Sequence, residues 1–401
     1  MKDRDTASTY LEVGMRYADE GEHEKALECY ELALEIKGRA GAKDADTAAL
    51  YNNMGLAYAD MGRYGEALEH YELSMDINEQ LGDGFGIDAA VTYNNMGSAY
   101  DSTEEYDNAL ECFFKSLAIK ERLLAENDLG LAVTYNNIGS VYDSTDEYEK
   151  ALEYYLRALA VHEASKRENA DTAVIHANIG AVYHYGLKDR DRALEHCRKA
   201  LALKERIFGP DDPNLAETYE TVASVYRDAG EYEKALEFYH KALAARGGAS
   251  GARDPEISMT YREIGSVHDL MGDHEKALEY MDMALTMDED ILGTDDIATA
   301  ITYRKIGIVY ENKGDREKAL EYYHMALAAK ERTQARSPET AYICNDIASI
   351  YFVRKEYEKA LIYCNKASDI LAKELGEDHY YTAATRSAID RILRESEKDK
   401  E

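Results

Sequence analysis

The sequence has no tryptophan, four prolines, five cysteines and few cations for its acids. Each scarcity excludes something. Four prolines in 401 residues rule out a collagen-like or proline-rich linker protein. The cysteines, Cys29, Cys112, Cys197, Cys344 and Cys364, are odd in number and far apart. That pattern fits neither a disulfide framework nor a zinc site and points to a reducing compartment, so the expected address is cytoplasmic. Lys plus Arg number 47 against 79 Asp plus Glu, a formal net charge of −32. Such a charge repels phosphate, so neither nucleic acid nor an anionic membrane surface is an expected partner. No apolar run reaches bilayer length, which argues against membrane insertion. The opening MKDRDTASTY has no apolar signal core. β-rich alternation is missing as well, which leaves an all-α reading.

What is present is repetition. AVTYNNMGSAYDSTEEY (90–106) and AVTYNNIGSVYDSTDEY (132–148) differ at three of 17 positions and lie 42 residues apart. An Ala-Leu pair recurs nine times, at Ala26, Ala67, Ala109, Ala151, Ala193, Ala235, Ala277, Ala319 and Ala360, with gaps of 41 or 42. Self-similarity at this period is the signature of a solenoid. Tyr51, Met54, Gly55 and Tyr58 follow the i, i+3, i+4, i+7 pattern of a helix face. MetGlyArg (61–63) breaks the run, and Ala67, Leu68, Tyr71 and Ser74 begin a second stripe. Each unit therefore reads as helix A, a turn, then helix B. The four prolines (Pro210, Pro213, Pro255, Pro338) and the Gly-rich pieces LGDGFG (81–86) and RGGASG (246–251) fall between helix B and the next helix A. Proline inside a helix would cost a hydrogen bond.

A small residue, Gly14, Gly55, Gly97, Gly139, Gly180, Ala223, Gly265, Gly307 or Ala348, precedes the repeat alanine by 12 or 13 residues in every unit. It lets the two helices approach closely. Together with the aromatic residue four beyond that alanine, these positions resemble the tetratricopeptide repeat. The 42-residue period, the Asn-Asn pairs and loops such as FGPDDPNLAET (208–218) resemble the kinesin light chain and nephrocystin-type subfamily. The resemblance implies a right-handed α-solenoid of about nine helix-turn-helix repeats spanning 7–373. The units are 7–42, 43–84, 85–126, 127–168, 169–210, 211–252, 253–294, 295–336 and 337–373. A capping helix follows at 378–394, then a polar, frayed tail at 395–401. The short stretch before the first repeat has no heptad coiled coil, which argues against attachment to a motor heavy chain.

With the small residue numbered 8, positions 4, 7, 8 and 11 share a packing face, at ~100° per residue. Positions 2, 5, 6, 9, 12 and 13 lie opposite, the face that lines the concave groove in proteins of this family. Positions 5 and 6 are Asn52 and Asn53, Asn94 and Asn95, Asn136 and Asn137, then Ala177 and Asn178; position 9 adds Ser98 and Ser140. An amide both donates and accepts, as a peptide backbone does, so this row suits an extended peptide ligand. The same amides also suit hydrogen bonds between neighbouring repeats, and both uses stay open. In later units the face carries Arg227, Arg262, Arg304, Lys305 and Asn345. The cations either select an acidic ligand segment or are neutralised by Glu220 and Glu263. Lysines just before the repeat alanine, such as Lys25 and Lys150, are expected to pair with the Glu three residues on.

No catalytic constellation appears: no HExxH, no nucleophile with a base, no phosphate loop around GDGFG. No cofactor or metal is expected. His176 and His184 flank the fifth helix A, where one extra residue lengthens the turn, and His184 sits on the groove face. The expected function is a non-catalytic adaptor binding an extended peptide segment of a partner; the alternative is a peptide-responsive regulator of an effector.

Overall fold

The computed structural model describes residues 2–39, 44–82, 86–166, 168–209, 212–247, 254–332 and 337–399. Pro210, the centres of both Gly-rich pieces and the expected boundaries at 42, 84, 210, 252 and 336 lie outside them. The chain forms two compact units, Met1–Ile207 and Phe208–Glu401.

The first unit holds five hairpins. They are α1 (Lys2–Asp19) with α2 (His23–Arg39), α3 (Ala45–Asp60) with α4 (Tyr64–Gln80), α5 (Ile87–Ser102) with α6 (Tyr106–Leu123), α7 (Leu129–Ser144) with α8 (Tyr148–Ser165), and α9 (Ala170–Ala181) with α10 (Arg190–Phe208). The second unit has four: α11 (Ala216–Asp228) with α12 (Tyr232–Ala245), α13 (Pro255–Leu270) with α14 (His274–Ile291), α15 (Ile297–Lys313) with α16 (Arg316–Arg332), and α17 (Pro338–Val353) with α18 (Tyr357–Glu374). A last helix, α19 (Tyr380–Lys398), follows them. Among the described residues there is no strand. Pro255 and Pro338 open A helices, where the missing N–H has no partner to lose.

The reason for the small residue is visible in the hairpins that carry glycine there. A Cβ on Gly55 would lie 2.5 Å from the Tyr71 ring, and one on Gly307 would lie 2.5 Å from Tyr323. Tyr30, Tyr71, Phe113, Tyr155, Tyr239 and Tyr323 are fully buried in this place. Each ring lies across helix A and fills the hairpin, with the repeat alanine sealed beneath it. Every described A–B turn closes through a left-handed residue. Gly62 and Gly272 take it without strain, whereas Glu104 and Asp146 do so with a Cβ. The turn is held by Arg63 N–H to Tyr58 O at 2.8 Å and Gly62 N–H to Ala59 O at 2.8 Å, the Schellman pattern.

Three local expectations are corrected. The extra residue of the fifth unit goes into a π-helical turn, Val182–Gly186, ending helix A. Gly186 there lies against the Tyr148 ring, closer than a Cβ would allow. The 395–401 tail is helical as far as Lys398, because Asp399 accepts from Tyr357 Oη at 2.9 Å and Lys355 Nζ at 3.0 Å. Finally, the lysines before the repeat alanine reach backwards. Lys25 pairs with Glu22, Lys234 with Glu231 and Lys359 with Glu356. Lys234 and Lys359 also cover the Tyr226 and Tyr351 rings, at 5.2 and 5.1 Å from the centroids. The quadrupole of the tyrosine and the turn carboxylate both attract the ammonium. The Glu two after the alanine pairs one turn onward instead, as in Glu153 with Arg157.

Candidate functional site: the open face of the A helices

In the first unit the asparagines form a register. Asn95 Nδ2 donates to Asn52 Oδ1 at 3.1 Å, Asn137 Nδ2 to Asn94 Oδ1 at 3.5 Å, and Asn178 Nδ2 to Asn136 Oδ1 at 3.1 Å. Position 6 of each unit thus donates to position 5 of the unit before. Asn53 faces no such acceptor, because position 5 of the first unit is Leu11. The amides serve as inter-repeat ties, one of the two uses the sequence left open. They also remain at the surface: Asn52, Asn53, Asn95, Asn136, Asn137 and Asn178 are half-buried, while Asn94 is 9% exposed. A half-buried carboxamide with one bond made keeps further donor and acceptor capacity.

Around this row the face is mixed. Val91, Val133 and Val174, at position 2, are exposed. Ser98 is exposed and Ser140 half-buried. Ser98 Oγ donates to the Asn94 carbonyl at 3.2 Å, which holds the hydroxyl against its own helix. One turn further, Asp101 and Asp143 are half-buried, and burial pushes both carboxyls above the usual range. Neither makes a hydrogen bond or ion pair among the described residues. A charged group held this way is destabilising. Asp143→Asn is therefore expected to raise the melting temperature at pH 7, measured by circular dichroism; a lower value would mean that the carboxylate holds structure together.

A second register lies beneath the first. Position 5 meets a threonine at position 3 of the next unit and a buried polar residue 11 beyond the repeat alanine. Thr134 Oγ1 donates to Asn94 Oδ1 at 3.2 Å, and Lys120 Nζ to Thr134 Oγ1 at 2.7 Å. Lys120 is 5% exposed, and burial lowers its pKa to about 8. In the second unit the same three places carry Arg262, Thr302 and Asp288. Arg262 Nη1 donates to Asp288 Oδ2 at 2.9 Å and to Thr302 Oγ1 at 3.0 Å. The charges have exchanged places, with the cation now on helix A and the polar partner on helix B. Arg262 is 7% exposed and Asp288 1%. The expectation of Arg262 as a ligand-facing cation is corrected here: its guanidinium is consumed between α13, α14 and α15.

The other expected cations are half-buried and paired. Arg227 bonds Glu263 and Asp228, Lys305 Nζ donates to Glu263 Oε1 at 2.7 Å, and Arg304 Nε donates to Asp346 Oδ2 at 2.6 Å. Glu263 feels burial pushing its pKa up, yet Lys305 and Arg227 outweigh it and hold the carboxyl below its ordinary value. Asn345 Nδ2 donates to Thr385 Oγ1 at 3.0 Å. Arg227, Arg304 and Lys305 therefore form an ion-pair ladder with Glu263 and Asp346, the charged counterpart of the asparagine register.

Sequence reasoning missed a histidine pair. His176 Nδ1 lies 3.0 Å from His196 Nδ1, with His176 8% exposed. Burial, then His196 and Lys199, push His176 down to about 4; Glu168 and Glu195 oppose this. Burial lowers His196 as well. The unfolded chain takes up protons at His176 near pH 6.5, so its stabilising contribution is present above that value and is lost as pH falls toward about 4. The melting temperature of the first unit is expected to drop between pH 7 and pH 5, and His176→Phe to flatten part of that drop. A level profile would show that the imidazole is not protonated on unfolding. His184 is buried at the π turn rather than open on the groove face. The five cysteines are free thiols, four of them buried. No group of three or more His, Cys, Asp or Glu among the described residues is arranged to hold a metal ion. No described helix is long and apolar enough to cross a membrane.

Sequence profiles described as tetratricopeptide repeat match residues 5–80, 88–164, 171–247 and 256–332, and another of the same description matches 340–381. The chain belongs to the tetratricopeptide repeat family. Its fold is accordingly an all-α tetratricopeptide solenoid, and its A helices carry the open face on which the asparagine register lies. No curated protein matches the sequence. The structure is similar to the apo form of the quorum sensor NprR from B. thuringiensis, at 15% identity and a TM-score of 0.65, covering 91% of this chain and 98% of that one. It is also similar to a Rap protein complexed with competence and sporulation factor, at 14% identity and a TM-score of 0.56, covering 92% and 98%. A putative kinesin light chain from Podosopora anserina matches at 14% identity and a TM-score of 0.45, covering 53% of this chain and 100% of that one.

Proposed function

We propose that this tetratricopeptide scaffold is a non-catalytic cytoplasmic adaptor that holds an extended peptide segment of a partner protein along the A-helix face of its first unit. The observation that carries the reading is the row of half-buried amides, Asn52, Asn95, Asn136, Asn137 and Asn178, flanked by exposed Val91, Val133 and Val174. The amides answer backbone N–H and C=O groups with little regard to sequence, and the valines offer apolar contact between them. An acidic segment would reach Arg227, Arg304 and Lys305 only by displacing Glu263 and Asp346. An acidic preference in the second unit is therefore an exchange of ion pairs and is expected to weaken steeply with salt. The kinesin-light-chain-like version of the adaptor rests on the repeat sequence.

A second reading, a peptide-responsive regulator, is favoured by one observation. Two solved structures that each cover about nine-tenths of this chain are a quorum sensor and a Rap protein complexed with competence and sporulation factor. In that reading, ligand binding changes how the repeats stack and so exposes or hides an effector surface.

The test is a fluorescence screen of labelled nonapeptides against the wild-type chain and an Asn95→Ala, Asn137→Ala variant. Each change also removes an inter-repeat bond, at about 1 kcal/mol apiece, so unfolding is monitored alongside. Peptides that bind the wild type are expected to lose about tenfold or more, a factor of ten being about 1.4 kcal/mol. Unaltered binding by the variant would remove the amides from the site. A change in compactness on adding the peptide, seen by small-angle scattering, separates the regulator from the adaptor.

A further inference from the structure

A cavity of about 340 Å³ opens between α17, α18 and α19. Its wall is mostly apolar: Ala348, Phe352, Cys364, Ala384, Ala388 and Ile392. Several earlier inter-repeat contacts within each unit are filled by paired amides or ion pairs. Here the facing residues are small, so the last helix seats without closing the space. Its volume falls within the ~300–1,000 Å³ of ordinary small-molecule pockets.

A second depression adjoins the cavity and shares Ala384, Ala388 and Arg391 with it. The depression also takes in Arg394, Lys398 and Glu395. Lys398 is paired with Glu395 at 2.7 Å. Arg391 and Arg394 have no ion-pair partner among the described residues, although the chain as a whole carries −32. Arg391 lies over the Phe352 ring, 5.2 Å from its centroid, at the boundary between the two spaces. An apolar chamber thus leads to a place with two unanswered guanidinium groups.

We propose that this is a binding site for a free aliphatic monocarboxylate, its chain in the cavity and its carboxylate between Arg391 and Arg394. A guanidinium offers a planar pair of donors matched to a carboxylate, and the alkyl chain is driven in by burial of apolar area. A peptide is disfavoured as the occupant. Its backbone needs donors and acceptors along its length, and the amide nitrogen of Asn345 at the wall is already donating to Thr385. The site lies in the second unit, apart from the asparagine register, and stands or falls independently of the peptide reading.

The experiment uses 11-(dansylamino)undecanoic acid, whose emission rises in apolar surroundings, with the full chain and decanoate as competitor. The probe is expected to bind and decanoate to displace it, with decanol at least tenfold weaker. Arg391→Gln with Arg394→Gln should cut decanoate affinity about tenfold and leave decanol unaffected. Ala388→Leu fills the cavity and should abolish binding of both. Ala384→Leu, at a more exposed position of the wall, serves where Ala388→Leu fails to fold by circular dichroism. Failure of the probe to bind, equal competition by decanol or decyltrimethylammonium, or full binding by the cavity-filled variants would overturn the proposal. So would displacement by a leucine-terminated hexapeptide at lower concentration than decanoate, which would make the occupant a chain terminus. Loss of nonapeptide binding in the first unit would leave these outcomes unaffected.

Discussion

Arg262→Ala is expected to destabilise the protein by about 3–5 kcal/mol rather than to weaken an acidic ligand. Among the described residues, the substitution leaves Asp288, 1% exposed, with only the hydroxyls of Ser258 and Thr302 as side-chain partners. A buried carboxylate without its cation bears its desolvation cost nearly alone. The damage should be local, because each repeat contacts only its neighbours. Hydrogen exchange is expected to rise in α13, α14 and α15 well before it rises in the first unit. The control is Arg262→Met with Asp288→Leu, which removes both charges and keeps volume; its stability should be close to wild type or higher. If Arg262→Ala unfolds at the wild-type urea concentration, the buried pair is not what joins these hairpins.

Tyr323→Ala should cost a similar amount, about 3–5 kcal/mol for deletion of a buried aromatic ring. The ring is fully buried against Gly307, and its hydroxyl donates to Glu311 Oε2 at 2.8 Å. Its removal leaves a cavity at the centre of the α15–α16 hairpin and an acceptor without its donor. Tyr380→Ala is the comparison, because Tyr380 is 76% exposed and should shift stability by no more than roughly 0.5 kcal/mol. Chemical denaturation followed by circular dichroism reads both. A cost below about 1 kcal/mol for Tyr323→Ala would mean that the hairpin closes over the gap, and that the glycine beneath the ring is not there to admit it.

The fold was legible because its signal repeats. One alanine and one small residue per unit, with a bulky ring in six units and Cys197, Met281 or Cys364 in the other three, impose a hairpin, and nine copies in register leave little freedom of interpretation. The open face was legible in outline, since helical periodicity alone puts Asn94, Ser98 and Asp101 on one side of a helix. Its details were not. Arg262 and Arg304 hold the same place in their units, yet Arg262 is buried on Asp288 and Arg304 is half-buried on Asp346. Periodicity fixes the direction of a side chain from its own helix, not what stands opposite. The His176–His196 contact joins residues 20 apart on two helices, with no metal-type spacing to announce it.

By itself, the sequence determined the hairpin, its turn in every unit but the fifth, and the place of the six rings that fill the hairpins, because these depend on contacts within one unit and on local backbone preference. Only the tertiary structure decided which polar residues are consumed between units and which stay open. That choice depends on the partner each side chain meets 36 to 43 residues away, as in Arg227 with Glu263 and Asn95 with Asn52. It also decided that the last helix leaves a cavity beside two unpaired arginines. A void is the difference between two packed surfaces, and no single segment of the chain specifies it.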